Sequence, residues 1–499
     1  MRQNVILTAA LVVLALWLGT RASGNDIYVG GEAREALVAR AMLESGDWVL
    51  PLWNGNVVPS KPPLFHWLVV LGARLTGREV SPRMLRGPSA VAAALVVLLV
   101  CIAGARWGGR DVGLFAGLVL VSTPQFIDEA GHGRVDMTLV AAVTGAHVAL
   151  VEALHDPHGR LAGFGLALCL GLATLHRGGD FIAKQIVSEN GEALLGSARV
   201  PHRSPLYYLP RLVLGGLPWT LVLPWALVRG WRGALPRRYC VLWAAAGVIF
   251  FSLAPLKRGA YLLPLRPAVA LLVGWWLAEI VRDAAPAGRF VPALRGLALA
   301  TAGIALGGLA LVVALARGWL PTTAVERLVP PGGEVDVETV VGMLRAAGGE
   351  LFILGTAAAL AAIVVMRALG RGQWRRATLS AAAVAICGAL LALDVVSPVR
   401  TTQKSVRPFA LAVRERVPVE APLALLTADE EIPFLYYVGR VVPVLGDPGR
   451  RPPELARGYY VLDQARWDGW ETRDGWEEVL RSRHLFSTHR RDLVLVRRR

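Results

Sequence analysis

Up to about residue 398 the chain is a series of long apolar runs separated by short charged clusters. A bilayer core needs ~20 apolar residues per helix, and backbone groups in lipid must be paired internally. The runs therefore predict membrane-spanning helices near 5–20, 88–105, 112–128, 137–154, 160–176, 206–229, 239–256, 260–281, 293–317, 350–368 and 377–397. The first run follows Arg2 in the manner of a secretion signal. Thr20-Arg21-Ala22-Ser23-Gly24 is a poor cleavage site, so the run is expected to remain as a first helix.

The charged clusters form two alternating sets. One is short and basic: Arg106 and Arg110; Arg160; Arg229, Arg232, Arg237 and Arg238; Arg282, Arg289 and Arg295; Arg367, Arg371, Arg375 and Arg376. Such loops belong on the cytoplasmic side. The other set is longer and mixed in charge: 21–87, 129–136, 177–205, 318–349 and the tail after 397. These segments are expected outside, in the periplasm of a bacterium. The alternation closes without conflict over an odd number of spans. It puts the N-terminus inside and the C-terminus outside a bacterial inner membrane.

Shorter patterns subdivide the outer segments. Residues 31–46 set Ala36, Leu37, Val38, Met42 and Leu43 between charged positions, as in an amphipathic helix at the interface. Residues 62–76 are apolar but short, and Pro62-Pro63 suits a first helical turn. They predict an interfacial or partly inserted helix. After about 400, Ala424-Leu425-Leu426, Tyr436-Tyr437-Val438, Tyr459-Tyr460-Val461-Leu462 and Leu493-Val494-Leu495-Val496 read as short buried strands, with helical stretches such as 405–416 between them. The expected architecture is an all-α polytopic membrane domain over 1–398, with first outer loop 21–87, and a small α/β periplasmic domain over 399–499. Trp467, Trp470 and Trp476 are expected in the core of that small domain.

Composition agrees. The chain is 54% hydrophobic and only 18% charged, against about 25% charged in soluble domains. A net charge of +16 would suggest nucleic acid in a soluble chain. Here cytoplasmic arginines account for it, and no nucleic-acid partner is expected. Cys101, Cys169, Cys240 and Cys387 all sit inside apolar runs, without metal or disulfide spacing.

Three polar clusters at the outer membrane face are functional candidates. The first runs from Gly31-Glu32-Ala33-Arg34-Glu35 through Ser45-Gly46-Asp47-Trp48 and Asn54-Gly55 to Ser60-Lys61-Pro62-Pro63-Leu64-Phe65-His66-Trp67. A carboxylate here suits a general base or a metal ligand, and Lys61 suits a phosphate. A solvated helix with a snorkelling lysine is the plainer alternative. The second is His132-Gly133-Arg134-Val135-Asp136, where Arg134 and Asp136 suit either a structural ion pair or a site. The third is Lys257-Arg258-Gly259-Ala260-Tyr261, two adjacent cations that suit a phosphate or anionic headgroups.

In order and sidedness these pieces resemble the GT-C glycosyltransferases of the aminoarabinose-transferase and protein-mannosyltransferase type. The run Gly31 to Trp67 is similar to that family's first outer loop, Arg134-Val135-Asp136-Met137 to its second, and Lys257-Arg258 with Tyr261 and Leu263-Pro264 to its lipid-phosphate segment. Tyr207-Tyr208-Leu209-Pro210 and Leu217-Pro218-Trp219 match as well. The resemblance implies a GT-C fold of about eleven spans. It also implies a polyprenyl-phosphate-linked sugar donor and a lipid, glycan or protein acceptor, with the cell envelope and lipopolysaccharide as the setting. The resemblance carries over Glu32 and Asp136 as catalytic candidates, with Glu35 beside them on helical geometry, and Lys61, Arg134, Lys257, Arg258 and Tyr261 as phosphate and lipid ligands. No cofactor is required, although a divalent metal at Glu32 and Asp136 would find hard oxygen ligands.

Two departures from the family pattern stand out. The leading Asp of the family's acidic pair is Gly31 here, so only Glu32 matches directly, and Glu35 lies one turn on. The chain also passes from His176 straight to Arg177-Gly178-Gly179-Asp180, as if two spans were missing. A non-catalytic relative that binds polyprenyl lipid or acts as an assembly factor is the alternative these departures suggest. A transporter is disfavoured, because the spans carry few midplane charges and no inverted halves. With the tail outside, a cysteine introduced after 397 reacts with a membrane-impermeant thiol reagent in intact spheroplasts. Failure to label would reverse the topology.

Overall fold

A computed structural model describes residues 2–49, 52–54, 56–57, 63–155, 204–254, 257–283, 347–427, 431–447, 454–482 and 492–499, with isolated positions between 303 and 342 and at 449. Lys61, Cys169, the span expected at 160–176, the loop 177–205 apart from its last two residues, and most of the segment 293–346 lie outside the described residues. Among the described residues six helices are long and apolar enough to cross a membrane. The chain is a multi-pass membrane protein.

The membrane unit comprises α1 (Arg2–Thr20), α2 (Gly30–Ser45), α3 (Leu64–Thr76), α4 (Pro82–Gly108), α5 (Arg110–Val121), α6 (Pro124–Ala130), α7 (Val135–His155), α8 (Tyr208–Gly215), α9 (Leu223–Trp231), α10 (Leu235–Leu253), α11 (Arg266–Asp283), α12 (Gly348–Gly370) and α13 (Trp374–Leu391). Two expected spans are interrupted. The 112–128 run breaks at Ser122-Thr123-Pro124, where Pro124 opens α6. The 206–229 run divides into α8, a short 3-10 turn at Trp219–Leu221 and α9, with Pro218 and Pro224 at the breaks. A 3-10 segment, Gly259–Leu265, likewise precedes α11.

Small residues let α4, α5 and α11 approach closely, as membrane helices do in the absence of a strong hydrophobic drive between them. A Cβ on Gly113 would collide with the Cys101 carbonyl, and one on Gly274 would lie 2.8 Å from the Ala116 nitrogen. Either substitution forces the helices apart.

α13 passes through a π-helical turn, Ala392–Val396, directly into α14 (Ser397–Lys404). The small unit that follows contains α15 (Arg407–Arg416), β3 (Leu423–Leu426), α16 (Ile432–Val438), β4 (Gly458–Asp463), α17 (Gln464–Asp468), β5 (Trp476–Arg481) and β6 (Leu493–Arg498). Its sheet has the order β3-β4-β6-β5, with β3–β4 parallel and the other pairs antiparallel. The hairpin β1 (Leu52–Trp53) and β2 (Asn56–Val57) lies apart, in the first loop. Tyr436-Tyr437-Val438 is helix rather than strand. Pro433 sits in its first turn and Gly439, at φ 75°, closes it in the left-handed conformation. The three tryptophans form a core with Tyr460 and Leu462, as expected.

The small unit is not a separate globule. One buried cluster joins Ala36, Ala39 and Met42 of α2, Phe65 and Val69 of α3, Phe409 and Val413 of α15, and Phe434 and Leu435 of α16. Polar contacts repeat the link: Arg40 donates to the Tyr436 carbonyl at 2.8 Å, the Tyr436 hydroxyl to the Val80 carbonyl at 2.8 Å, and Asn54 pairs with both backbone groups of Val442. α2 is therefore covered by protein rather than lying free at the interface, and Glu32 and Glu35 turn inward.

Candidate functional site

Glu32 stands in the first turn of α2, 1% exposed. Its carboxylate accepts two hydrogen bonds from Arg86 of α4, at 3.0 and 2.9 Å, and one from the Gly133 N–H at 2.6 Å. Arg86 also donates to the carbonyls of Ala22 at 2.8 Å and Asn25 at 2.7 Å. One ion pair thus joins the end of α1, the start of α2, α4 and the loop before α7. Burial works to raise the Glu32 pKa, but the Arg86 bonds and charge outweigh it and hold the carboxyl below its ordinary value.

Glu35 lies on the same buried face, with His66 Nε2 at 2.7 Å. His66 Nδ1 is buried without a hydrogen-bond partner among the described residues. Arg134 and Asp136 stand 3.1 Å apart, out of line for a hydrogen bond, so they pair by charge. The Lys257 ammonium donates to the Ser252 carbonyl at 2.7 Å and to that of Ala254, capping the end of α10. Arg258 is exposed, and its N–H donates to the Tyr208 hydroxyl at 3.2 Å. Tyr261 packs on Phe251.

Beside these groups a cavity of about 800 Å³ opens between α6, α8, α11, α12 and α13. Its walls are mostly apolar, with Trp219, Trp276, Val365 and Leu369 among them, and its polar groups include Asp128, Glu129, Gln125 and Arg211. Buried Arg266 builds this end. It donates to Gln125 Oε1 at 2.9 and 2.6 Å and to the Leu212 carbonyl at 3.3 Å, while Gln125 donates to the Gly259 carbonyl at 2.7 Å. Gly215 and Gly216 leave room for that guanidinium; a Cβ on Gly215 would come within 2.9 Å of it. Arg211 lies over the Tyr207 ring at 3.6 Å. Gly259, next to Arg258, lines the same cavity.

Burial pushes the Glu129 carboxyl up to about 7, against the pull of His132 and Arg134 and with the push of Asp136 and Asp128. Burial opposes charge on His132, yet Asp128, Glu32 and Glu129 outweigh it and raise its pKa. Sequence reasoning named none of Arg86, Gln125, Asp128, Glu129, Arg211 and Arg266 as site residues. The available signal was an ionisable side chain at the start of an apolar run, as at Arg86 and Arg266.

A divalent metal finds a poor set here. Both Glu32 oxygens are engaged, and no group of three or more His, Cys, Asp or Glu suited to an ion occurs among the described residues.

Comparison with known proteins follows the same lines. The dolichyl-phosphate-mannose-protein mannosyltransferase family model matches residues 60–225. The undecaprenyl phosphate-alpha-4-amino-4-deoxy-L-arabinose arabinosyl transferase of Pseudomonas aeruginosa is 28% identical over 358 residues, 60% of this chain and 64% of that protein. The enzyme of the same name from Pectobacterium carotovorum is 27% identical over 337 residues, 55% of this chain and 60% of that protein. The chain thus spans less than two thirds of the length of these curated relatives. The crystal structure of ArnT from Cupriavidus metallidurans bound to undecaprenyl phosphate superposes with a TM-score of 0.70 at 18% identity, over 98% of this chain and 97% of that one. Its apo structure gives the same values. The chain has the GT-C fold, and its resemblance to the aminoarabinose-transferase and protein-mannosyltransferase type, read from the sequence, holds in both comparisons.

The Glu32–Arg86 pair makes a direct prediction. Because the Glu32 pKa is depressed in the folded state, its stabilisation is full above the ordinary carboxylate value of 4.5 and is lost as pH falls through the folded value. Glu32→Gln leaves Arg86 buried without its counter-charge and costs about 3–5 kcal/mol. Thermal unfolding in detergent followed from about pH 6 down to about pH 2 should show the loss in the wild type below the ordinary carboxylate value and a flatter profile in the variant.

Proposed function

We propose that the chain is a membrane glycosyltransferase that moves a sugar from a polyprenyl-phosphate donor to a lipid, glycan or protein acceptor on the outer face of the bacterial inner membrane, with the N-terminus cytoplasmic and the C-terminal unit periplasmic. The observation that carries this reading is the cavity. An apolar space of about 800 Å³ with charged groups grouped among its lining residues suits an amphiphile with an isoprenoid tail and an anionic head. The names of the relatives, undecaprenyl-phosphate sugar transferases, support the same donor class.

In this reading the isoprenoid lies along α12 and α13. The phosphate faces Arg211 and Arg258, with Lys61 and Lys257 in the same neutralising role and Tyr261 beside them. Lys257 also anchors the segment to the end of α10. The acceptor oxygen attacks the anomeric carbon from the face opposite the phosphate. The carbon–oxygen bond to phosphate breaks, its electron pair leaves with the polyprenyl phosphate, and the configuration inverts. Cations placed where that charge develops supply the largest part of such a rate enhancement. Arg134 and Asp136 border the acceptor side. Glu32 and Glu35 act by holding the first loop in place, since both carboxylates are engaged. That engagement, with Gly31, is also what favours the second reading, a polyprenyl-lipid-binding relative without transfer activity.

Purified protein in lipid, given a radiolabelled polyprenyl-phosphate sugar pool, separates the two. Transfer by the wild type that is lost in Lys61→Ala and Arg258→Ala establishes the transferase. Binding of polyprenyl phosphate without transfer supports the second reading. Ala385→Trp, which projects into the cavity, should weaken polyprenyl-phosphate binding at least about tenfold, the factor corresponding to ~1.4 kcal/mol.

A further inference from the structure

Transfer to a hydroxyl acceptor needs a group to take its proton, and the carboxylates that the sequence offers first are committed elsewhere. Glu32 gives both oxygens to Arg86 and Gly133, and protonating it would leave Arg86 buried without a counter-charge. Glu35 is held at His66, and Asp136 is paired by charge with Arg134 at 3.1 Å. Position 31 carries no side chain.

α6 presents a different acid. Glu129 lines the cavity, half-buried, and its side chain makes no hydrogen bond or ion pair among the described residues. It also belongs electrostatically to the place that residue 31 leaves empty. A Cβ on Gly31 would stand 3.7 Å from Arg134 Nε, and the Arg134 charge acts on Glu129. We propose that Glu129 is the proton acceptor of the transfer, in place of a carboxylate at position 31. The inference rests on the transferase reading above.

The step balances without a further reactant. The acceptor oxygen bonds to the anomeric carbon as the phosphate leaves with its electron pair, and the hydroxyl proton passes to the Glu129 carboxylate and then to water. A carboxyl held near 7 is ionised in about half the molecules at neutral pH and is a stronger base than a solvated one. The groups around it are His132 and Arg134, which favour its charge, and Asp128 and Asp136, which oppose it. Arg211 of α8 lines the same cavity. Arg21, just after α1, is paired with Asp394 beyond α13, and Arg86 of α4 with Glu32. Lys257 and Arg258 precede the 3-10 segment that packs on α6.

The test uses the full chain in lipid nanodiscs with a radiolabelled polyprenyl-phosphate sugar pool and a membrane-lipid extract as acceptor. Glu129→Gln is expected to lower kcat at least about 100-fold, the usual contribution of a positioned base, with donor KM little changed. Wild-type kcat should fall as pH drops below about 7, and the residual activity of Glu129→Gln should lack that limb. Adding Gly31→Asp to Glu129→Gln should restore at least about tenfold of the loss, because a carboxylate then returns beside Arg134. Glu129→Gln turning over like the wild type would overturn the inference and leave the transferase standing. So would loss of polyprenyl-phosphate binding in step with turnover. A wild type that transfers nothing would overturn the transferase reading and this inference with it.

Discussion

The buried pair of Glu32 with Arg86 is the constraint on which the first loop and the C-terminal unit of this protein depend. A guanidinium and a carboxylate taken out of water are costly unless each donor and acceptor is matched. Here the two side chains match each other, and the remaining bonds go to the backbone at Ala22, Asn25 and Gly133. Those backbone atoms belong to the end of α1 and the loop before α7. The pair therefore fixes where the segment after α1 and the loop before α7 sit relative to α4, which no apolar contact could do with the same directionality.

From that anchor the rest of this end of the molecule follows. Ala36, Ala39 and Met42 of α2 share a common core with residues of α15 and α16. The C-terminal unit serves as a lid on the first loop, seated by Arg40, Asn54, Tyr436 and Tyr437. On the other side of α4, the loop before α7 follows α6 and brings His132, Arg134 and Asp136 into electrostatic reach of Glu129. Arg266 does for α6, α8 and α11 what Arg86 does for α1, α2 and α4: a buried cation tied to oxygens of neighbouring elements, beside an apolar cavity.

Much of this was legible in the sequence because membrane helices are a problem of length and hydropathy. The spans represented by α1, α4, α7, α10, α12 and α13 lie where the apolar runs put them. So do α2, α3, α15 and the strands β3, β4 and β6. The misses have local causes. Tyr436-Tyr437-Val438 is apolar and short, a length at which helix and strand patterns look alike, and Pro433 with Gly439 decided for helix. The 112–128 run is mostly apolar, yet it breaks at Ser122-Thr123-Pro124, and Asp128 and Glu129 of the short helix beyond the break line the cavity. The site was legible as a set of loops but not as a set of partners. Glu32 reads as a free acid until Arg86, fifty-four positions on, is seen to hold it. Sequence spacing carries no information about a contact of that range.

The central claim is that the cavity between α6, α8, α11, α12 and α13 holds a polyprenyl phosphate with its head at the charged end. A cryo-electron microscopy map of the purified chain with undecaprenyl phosphate tests it most directly. Isoprenoid density is expected along Val365, Leu369 and Ala385, and phosphate density near Arg211 and the Arg258-Gly259 segment. Density confined to the lipid-facing surface, with the cavity empty, would contradict it.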